Sequence, residues 1–274
     1  MKTLVWIVAV VAACNGSWAV DNSDIPSGPA QDAVMAGAQD VAAVSAWFDG
    51  AFRGATPPVT IEGTASGLLG SNAPPFSFNY GGRPSSEFLK TWIFSATLIE
   101  KNSNFREERF SWIDPQTGLK VTAEAKIFSQ YSAAEWVLYF ENGGKADTPL
   151  IEDIRALDIS LLTGNPKEAV TLRRTLGDAC NERSFLPAVD TLEPGKDFRF
   201  APAGGRSSNF EFPFFDVEYQ SQGLIAAIGW TGQWAVSLER AQQSAAVRLC
   251  AGMEKTSLVL HPAERIRSPR ILLM

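Results

Sequence analysis

Histidine and cysteine are scarce in this sequence, with one histidine and three cysteines among 274 residues. A Ser-His-Asp or Cys-His design would have to use His261, which precedes Pro262 and is typical of an exposed strand end. Metal sites built from several histidines or cysteines are excluded by count. Because no GxxxxGK or GxGxxG motif occurs either, we expect neither a metal nor a cofactor.

An excess of positive charge is also missing. Lys and Arg number 24 against 30 Asp and Glu, which gives a net charge of -6. This balance disfavours binding to nucleic-acid phosphates or anionic lipids, whereas a neutral, hydroxyl-rich partner is compatible with it. Hydrophobic residues make up 45% of the chain, enough for a sizeable core.

No apolar run approaches the ~20 residues that a membrane-spanning helix needs. The run from Leu4 to Ala13 follows Lys2 and precedes small residues up to Ala19, an arrangement typical of a secretory signal peptide. We expect a signal peptide over residues 1–19, a polar linker over 20–29, and a secreted or periplasmic location. A second interpretation is that "VAAC" is a lipobox, which would make Cys14 a lipid anchor.

The two remaining cysteines, Cys180 and Cys250, lie 70 positions apart and match no metal-ligand spacing. One disulfide and two separate thiols are both compatible with export.

Hydrophobic periodicity divides the rest of the chain into a helix and many strands. Apolar residues recur every three or four positions over 30–52, which predicts one amphipathic helix that buries Trp47 and Phe48. Later segments such as "GLKVTAEAKIF" alternate with period two and are separated by turn signals such as "DPQTG". No alternation of helices and strands occurs, so residues 30–274 are predicted to form one large antiparallel β-sandwich with an N-terminal helix.

Two Gly-containing turns are predicted to close hairpins. One follows "EWVLYFENGG", and the other is "GWTGQW", which joins the strands "GLIAAIG" and "WAVSLER". In the second turn, Trp230 and Trp234 would flank the hairpin tip. Either they plug the core, or one of them is exposed and stacks on a sugar ring.

Other candidate groups are the loop "APAGGRSSN" and scattered carboxylates. Arg206 and Ser207 could donate hydrogen bonds to hydroxyls, or the loop could satisfy only its own backbone. Glycosidase chemistry needs two carboxyl groups in space. Sequence spacing cannot show which acids converge, and the candidates include Glu135, Asp158 and Asp216.

Several segments together resemble the region that precedes the catalytic barrel in the melibiase family, the α-galactosidases of glycoside hydrolase family 36. They are "PFSFNYGGRPSSEFLKTW", "FSWIDPQTGLKVTAEAKIFSQYSAAEWVLYFENGGKADTPLIEDIRALD", "APAGGRSSN", "LIAAIGWTGQWAVSLER" and "LCAGMEKTSLVLHPAERIRSPRILL". The resemblance implies a supersandwich of the galactose-mutarotase type. It also implies that the catalytic aspartates lie in a (β/α)8 barrel, so no catalytic residue can be assigned within these 274 residues.

The resemblance makes the chain a non-catalytic sandwich domain of an exported α-galactosidase-like hydrolase, inactive alone, with a barrel and an α-galactoside or other carbohydrate as partners. Its matched loops place Trp230, Trp234, Arg206 and Ser207 as candidate substrate-binding residues. The alternative is a stand-alone secreted carbohydrate-binding or assembly module. Independent catalysis, like that of epimerases that share a supersandwich, is disfavoured by the single histidine.

Overall fold

The structure, a computed structural model, describes residues 36–54, 69–70, 73–219 and 222–274. Residues Ala36–Met274 form one compact unit. The predicted signal peptide, the linker and Cys14 lie outside the described residues.

The predicted helix is present as α1, which spans Ala38–Arg53. It begins later than the sequence pattern predicted, and residues 30–35 lie outside the described part. Trp47 and Phe48 are buried, as the helical spacing predicted. The helix ends at Gly54, whose φ of 66° is a left-handed conformation that glycine adopts without strain.

A one-turn helix α2 spans Ser85–Phe88, and a 3₁₀ turn follows at Leu89–Thr91. All other regular elements among the described residues are strands. They are β1 (Leu69–Gly70), β2 (Ser77–Tyr80), β3 (Arg83–Pro84), β4 (Ile93–Lys101), β5 (Phe105–Ile113), β6 (Leu119–Phe128), β7 (Ala134–Asn142), β8 (Ile151–Arg155), β9 (Leu157–Leu162), β10 (Val170–Leu176), β11 (Pro187–Leu192), β12 (Phe198–Phe200), β13 (Glu211–Tyr219), β14 (Gln222–Gly229), β15 (Trp234–Glu239), β16 (Ala246–Met253), β17 (Ser257–Leu258) and β18 (Arg265–Leu273).

Within the described residues these strands form three antiparallel sheets. The large sheet has the order β11-β10-β13-β14-β18-β7-β6-β5-β4. The facing sheet has the order β1-β9-β16-β15-β12, and a third sheet has the order β17-β8-β2-β3. This architecture confirms the prediction of an all-β antiparallel sandwich.

The hydrophobic core lies between the large sheet and the facing sheet. Phe200 of β12 meets Phe215 of β13 edge to face, with ring centroids 5.4 Å apart. Near the other end, the Trp136 indole donates a 2.8 Å hydrogen bond to the Ala156 carbonyl. Helix α1 adds Phe52, which stacks on Phe110 of β5 at 4.9 Å. The alternation of each strand therefore separates an inner, core-facing set from an outer set.

Both predicted Gly-turn hairpins are wrong. Strand β14 belongs to the large sheet and β15 to the facing sheet, so the turn between them is a crossover. Likewise β7 pairs with β6 and β18, whereas β8 pairs with β2 and β17. After β7, the buried Asn142 amide donates to the carbonyls of Ala146 and Leu260. That amide closes the loop onto the body of the protein instead of leaving it as a simple two-strand turn.

Candidate functional site

The two loops selected from the sequence lie side by side at one end of the sandwich. The Gly205 amide donates a 3.0 Å hydrogen bond to Gln233 Oε1, and Gln233 Nε2 donates to the Pro202 carbonyl. The Trp234 indole donates a 2.8 Å bond to the Ser207 carbonyl. The 202–209 loop is therefore fixed to the crossover between the sheets by three hydrogen bonds.

Trp234 holds the 202–209 loop in place from the core side. Its side chain is 0% exposed and packs edge to face on Phe200, with centroids 5.8 Å apart. Because Trp234 opens a strand of the facing sheet and points inward, it presents no ring face to a ligand in this structure. Its contact with the Ser207 carbonyl orders the loop that carries Arg206.

Trp230 is half-buried, in contrast to Trp234. It packs against the edge of the core, and the Arg267 guanidinium lies 5.8 Å from its ring centroid, within cation–π range. Gly232 lies against the indole nitrogen, because a β-carbon at that position would be 3.1 Å from Nε1. Of the two tryptophans, only Trp230 can present an indole surface to a ligand.

Arg206 is exposed, and the described residues contain no carboxylate in salt-bridge contact with it. Its charge still helps to lower the pKa of Asp178, after the larger effects of hydrogen bonds from the Cys180 amide and Ser184. Ser207 is half-buried. The structure thus brings Arg206, Ser207 and Trp230 to one end, and their role in substrate binding stays a prediction.

Two of the three candidate carboxylates from the sequence form ion pairs with arginines. Arg248 contacts Asp158 with two nitrogens at 2.9 and 2.7 Å, and Ser77 adds a 2.5 Å hydrogen bond. Burial alone would raise the pKa of Asp158, but these bonds outweigh burial and lower it. Glu135 pairs with Arg270 at 2.8 Å. Each of these acids is therefore held in an ion pair with an arginine.

Asp216 differs from these acids. Its Oδ1 is buried without a hydrogen-bond partner among the described residues. Burial, and then the neighbouring Glu218, raise the pKa of Asp216 to about 7. Glu218 itself is held by Arg173, with Nε and Oε2 2.7 Å apart. The two carboxyls and the guanidinium make an acid pair that holds a proton near neutral pH.

Asp216 belongs to an outward-facing row that sequence analysis did not identify. Along β13, inner residues such as Phe215 and Val217 are buried, and the alternate residues face out. We call Phe212, Phe214, Asp216 and Glu218 the β13 row; all four are half-buried. The segment "EFPFFDVEY" shows period-two alternation. That pattern is the same whether the outer face of the strand is covered by a second layer of structure or is free.

Two aromatic residues beside this row have left-handed backbone conformations. Phe185 has a φ of 61° and Phe210 a φ of 66°, and both side chains are exposed. Such φ values are unfavourable for bulky residues and occur mostly where the surrounding structure imposes them. Here the Phe185 amide bonds the Gly177 carbonyl and the Phe210 amide bonds the Asp178 carbonyl. The strained backbone presents two further rings at this end.

His261 and the cysteines form no catalytic constellation with these groups. His261 is exposed, and a 2.8 Å hydrogen bond from its Nδ1 to the Asp147 carboxylate raises its pKa. Cys180 is exposed, Cys250 is buried, and both are free thiols. Burial, followed by the charge of Asp158, raises the pKa of Cys250 to about 12, which makes it a poor nucleophile.

Two concavities lie away from the β13 row. One, of about 420 Å³, is lined in part by aromatic residues that include Trp92, Phe94 and Trp112. Another, of about 100 Å³, lies on the facing sheet and includes the Arg199–Glu254 pair. No group of three or more potential metal ligands occurs within the described residues, and none of the helices described there could cross a membrane.

No known family profile and no curated protein sequence matches this chain. Solved structures do match it. The α-galactosidase from Lactobacillus brevis superposes with a TM-score of 0.53 at 15% identity, over 73% of this chain and 28% of that one. The galactosidase domain of the α-galactosidase-sucrose kinase AgaSK gives 0.54 at 16% identity, over 75% and 30%. The GH36 α-galactosidase AgaA from Geobacillus stearothermophilus, in complex with stachyose, gives 0.53 at 13%, over 79% and 34%.

The chain has the fold of one part of the GH36 α-galactosidases. It spans about a third or less of the length of each of these enzymes. At these identities the likeness concerns the fold. The similarity agrees with the layered β-sandwich described above. The roles of Trp230, Arg206 and Ser207 stay predictions.

Proposed function

We propose that residues 36–274 act as the non-catalytic β-sandwich domain of an α-galactosidase-like glycoside hydrolase that is exported from the cytoplasm. The observation that carries this proposal is the match of about three quarters of this chain to about 30% of several GH36 α-galactosidases. In this role the sandwich supports a catalytic (β/α)8 barrel, the fold of the active domain in the melibiase family.

The loops at the crossover end are the proposed contribution to galactoside binding. Trp230 offers part of an indole face, Arg206 offers an exposed guanidinium, and Ser207 offers a hydroxyl. Trp234 takes the indirect role of holding the 202–209 loop in place. A complex of AgaA with raffinose supports a saccharide of this class as the ligand.

An assay for hydrolysis tests the non-catalytic assignment. The purified exported chain, incubated with an aryl α-galactoside and with raffinose, is expected to release no galactose above the buffer blank. Saturable release that follows the protein through purification, and that is abolished by Asp216→Asn or Asp158→Asn, would overturn the assignment. Those two acids are the controls because a glycosidase needs a pair of carboxyls.

A stand-alone carbohydrate-binding module is the second candidate, favoured by the exposure of Arg206 next to the half-buried Trp230. Titration of raffinose and stachyose against tryptophan fluorescence tests it. A module should give a saturable change that Trp230→Ala removes. A flat response to both saccharides would count against binding at these loops.

Export is proposed from the signal-like residues 1–19. The mature protein from a secreting host is expected to begin at Val20, as read by N-terminal sequencing. Recovery with diacylglycerol on Cys14 would instead establish the lipid-anchored form. A chain that keeps Met1 and stays in the cytoplasm would contradict export.

A further inference from the structure

The β13 row combines two kinds of groups on one exposed sheet face. The Phe212 and Phe214 rings stack with centroids 5.4 Å apart and an angle of 24°, and Phe185 meets Phe212 edge-on at 5.9 Å. Asp216 and Glu218 follow directly along the same face. Successive residues on one face of a strand lie about 7 Å apart, so Phe214 and Asp216 are within the span of one or two sugar rings, whereas the whole row extends over about 20 Å.

The neighbouring strands complete this surface. Arg173 of β10 pairs directly across from Asp216, and its guanidinium contacts Glu218 at 2.7 Å. Gly223 of β14 pairs with Glu218 and is exposed. A β-carbon at 223 would lie 3.1 Å from Asp216 Oδ1, so a side chain at this position would press against that carboxyl group.

Asp216 Oδ1 is shielded from solvent, and Glu218 forms a hydrogen bond with the Asp216 carboxyl group. A ligand hydroxyl therefore meets this acid pair at Glu218 and at Arg173, whose side chains are both partly exposed. A hydroxyl is also neutral, so it can be accommodated between two carboxyls and a guanidinium without adding a further charge.

We propose that the β13 row, with Arg173, is a saccharide-binding surface on which the Phe212 and Phe214 rings contact the apolar face of a pyranose. Glu218 and Arg173 then hydrogen-bond hydroxyls of that sugar or of the next sugar along the strand, and Asp216 positions Glu218. The proposal takes only the class of ligand from the proposed function. It assigns binding to a sheet face, separate from the Arg206 and Trp230 loops.

The chemistry of the row favours a sugar over an apolar protein surface. A pyranose presents C–H groups on its face and hydroxyls at its edge, which matches rings followed by carboxyls along one strand. An apolar partner would cover Asp216 and Glu218 without offering donors, which is unfavourable. The surface also adjoins the predicted loops, because Phe214 pairs with Ala227, three residues before Trp230.

Calorimetric titration of the exported chain with raffinose at pH 7 tests this assignment. Wild type is expected to bind with a measurable heat at millimolar raffinose. Phe214→Ala and Asp216→Ala should each raise the Kd about tenfold, whereas Phe214→Tyr, which keeps the ring, should change it less than about twofold. Gly223→Val should also weaken binding about tenfold, because its side chain displaces the Asp216 carboxyl and with it Glu218 while removing no binding group.

Two variants elsewhere on the large sheet serve as matched controls. Phe94→Ala removes an exposed ring on β4, and Glu135→Ala removes an acid on the outer face. Both should bind raffinose like wild type. Circular dichroism and urea midpoints establish that each variant is folded, and Gly223→Val keeps the test decisive should Phe214→Ala unfold.

Three results would overturn the proposal. The first is a wild-type titration with raffinose that gives no heat of binding. This result overturns the proposal also if the chain binds a separate protein domain instead. The second is equal weakening by Phe94→Ala and Phe214→Ala. The third is loss of binding in Trp230→Ala with normal binding in Phe214→Ala, which would place the saccharide at the loops. None of these results bears on the hydrolysis assay that tests the domain assignment.

Discussion

The two ends of the large sheet use the same antiparallel geometry for different purposes. At the β4–β7 end, outward-facing charges form compensated pairs, in which Lys126 lies 3.3 Å from Glu107 and Arg109 lies 2.8 Å from Glu124. At the β10–β14 end, the outer face carries stacked phenylalanines and Asp216, whose Oδ1 has no hydrogen-bond partner in the described chain.

This difference separates a sheet face whose charges serve folding from a sheet face that we propose to bind a ligand. Exposed ion pairs of the first kind contribute only about 0–1 kcal/mol each, and they keep a sheet face soluble. A buried acid oxygen without a conventional donor, beside half-buried rings, adds nothing to stability. Together with the strained Phe185 and Phe210, this is why we propose binding at the β10–β14 end.

The largest expected effect concerns Trp234, the buried residue that holds the 202–209 loop in place. Trp234→Ala should lower the free energy of unfolding by about 3–5 kcal/mol, because it empties a fully buried site. It should also release the 202–209 loop, since the bond to the Ser207 carbonyl is lost. Urea denaturation measures the first effect, and hydrogen exchange of the Gly205 and Asn209 amides measures the second.

Phe52→Ala at the other end is the matched variant. Phe52 is equally buried, against Phe110, so its loss should destabilise the chain by a similar amount. Exchange in the 202–209 loop should stay slow in this variant under native conditions. Equal release of the loop by both variants would show that Trp234 acts only through global stability.

The next effect depends on pH. The pKa of Asp216 is raised to about 7 in the folded chain, so its protonated form is favoured there. Its contribution to stability is complete below the ordinary pKa of about 4 and is lost as the pH rises through about 7. Asp216→Asn, which cannot ionise, should therefore be more stable than wild type at pH 8 by about 1 kcal/mol, a value reduced for partial exposure.

Urea midpoints of both proteins at pH 5 and pH 8 provide the measurement. The gain of Asp216→Asn over wild type should be larger at pH 8 than at pH 5. A gain that is the same at both pH values would mean that Asp216 ionises normally and that the acid pair does not hold a proton.

The smallest effect concerns the compensated end. Glu135→Gln breaks the 2.8 Å pair with Arg270 and should lower the free energy of unfolding by less than about 1 kcal/mol. The loss should shrink in molar salt, which screens exposed pairs. A loss of several kcal/mol would show that this end also depends on its charges and would weaken the contrast between the ends.

Much of this comparison could be predicted from the sequence, because period-two alternation and helical spacing report burial directly. The strands β6 and β15, the helix and the 202–209 loop were identified in this way. The crossover after β14 was mistaken for a hairpin because a Gly-Trp-Thr-Gly turn has the same local chemistry whether or not its flanking strands pair. Strand β18 was missed, since Pro269 and a bulge interrupt its alternation.

The candidate surface could be predicted only in part. The sequence selected Asp216 as one acid among several, but its position beside Arg173 and Gly223 depends on the pairing of β13 with β10 and β14. Long-range register of this kind is not encoded in any local window. The same limit applies to the two tryptophans, because Trp230 lies in the crossover between the sheets and Trp234 begins a strand of the facing sheet.

A crystal structure of the exported chain with raffinose tests the central claim most directly. We expect a pyranose ring against Phe212 or Phe214, with saccharide hydroxyls within hydrogen-bond distance of Arg173 or Glu218. Saccharide density only at the Arg206 and Trp230 loops, or a β13 row that stays free at saturating raffinose, would contradict it.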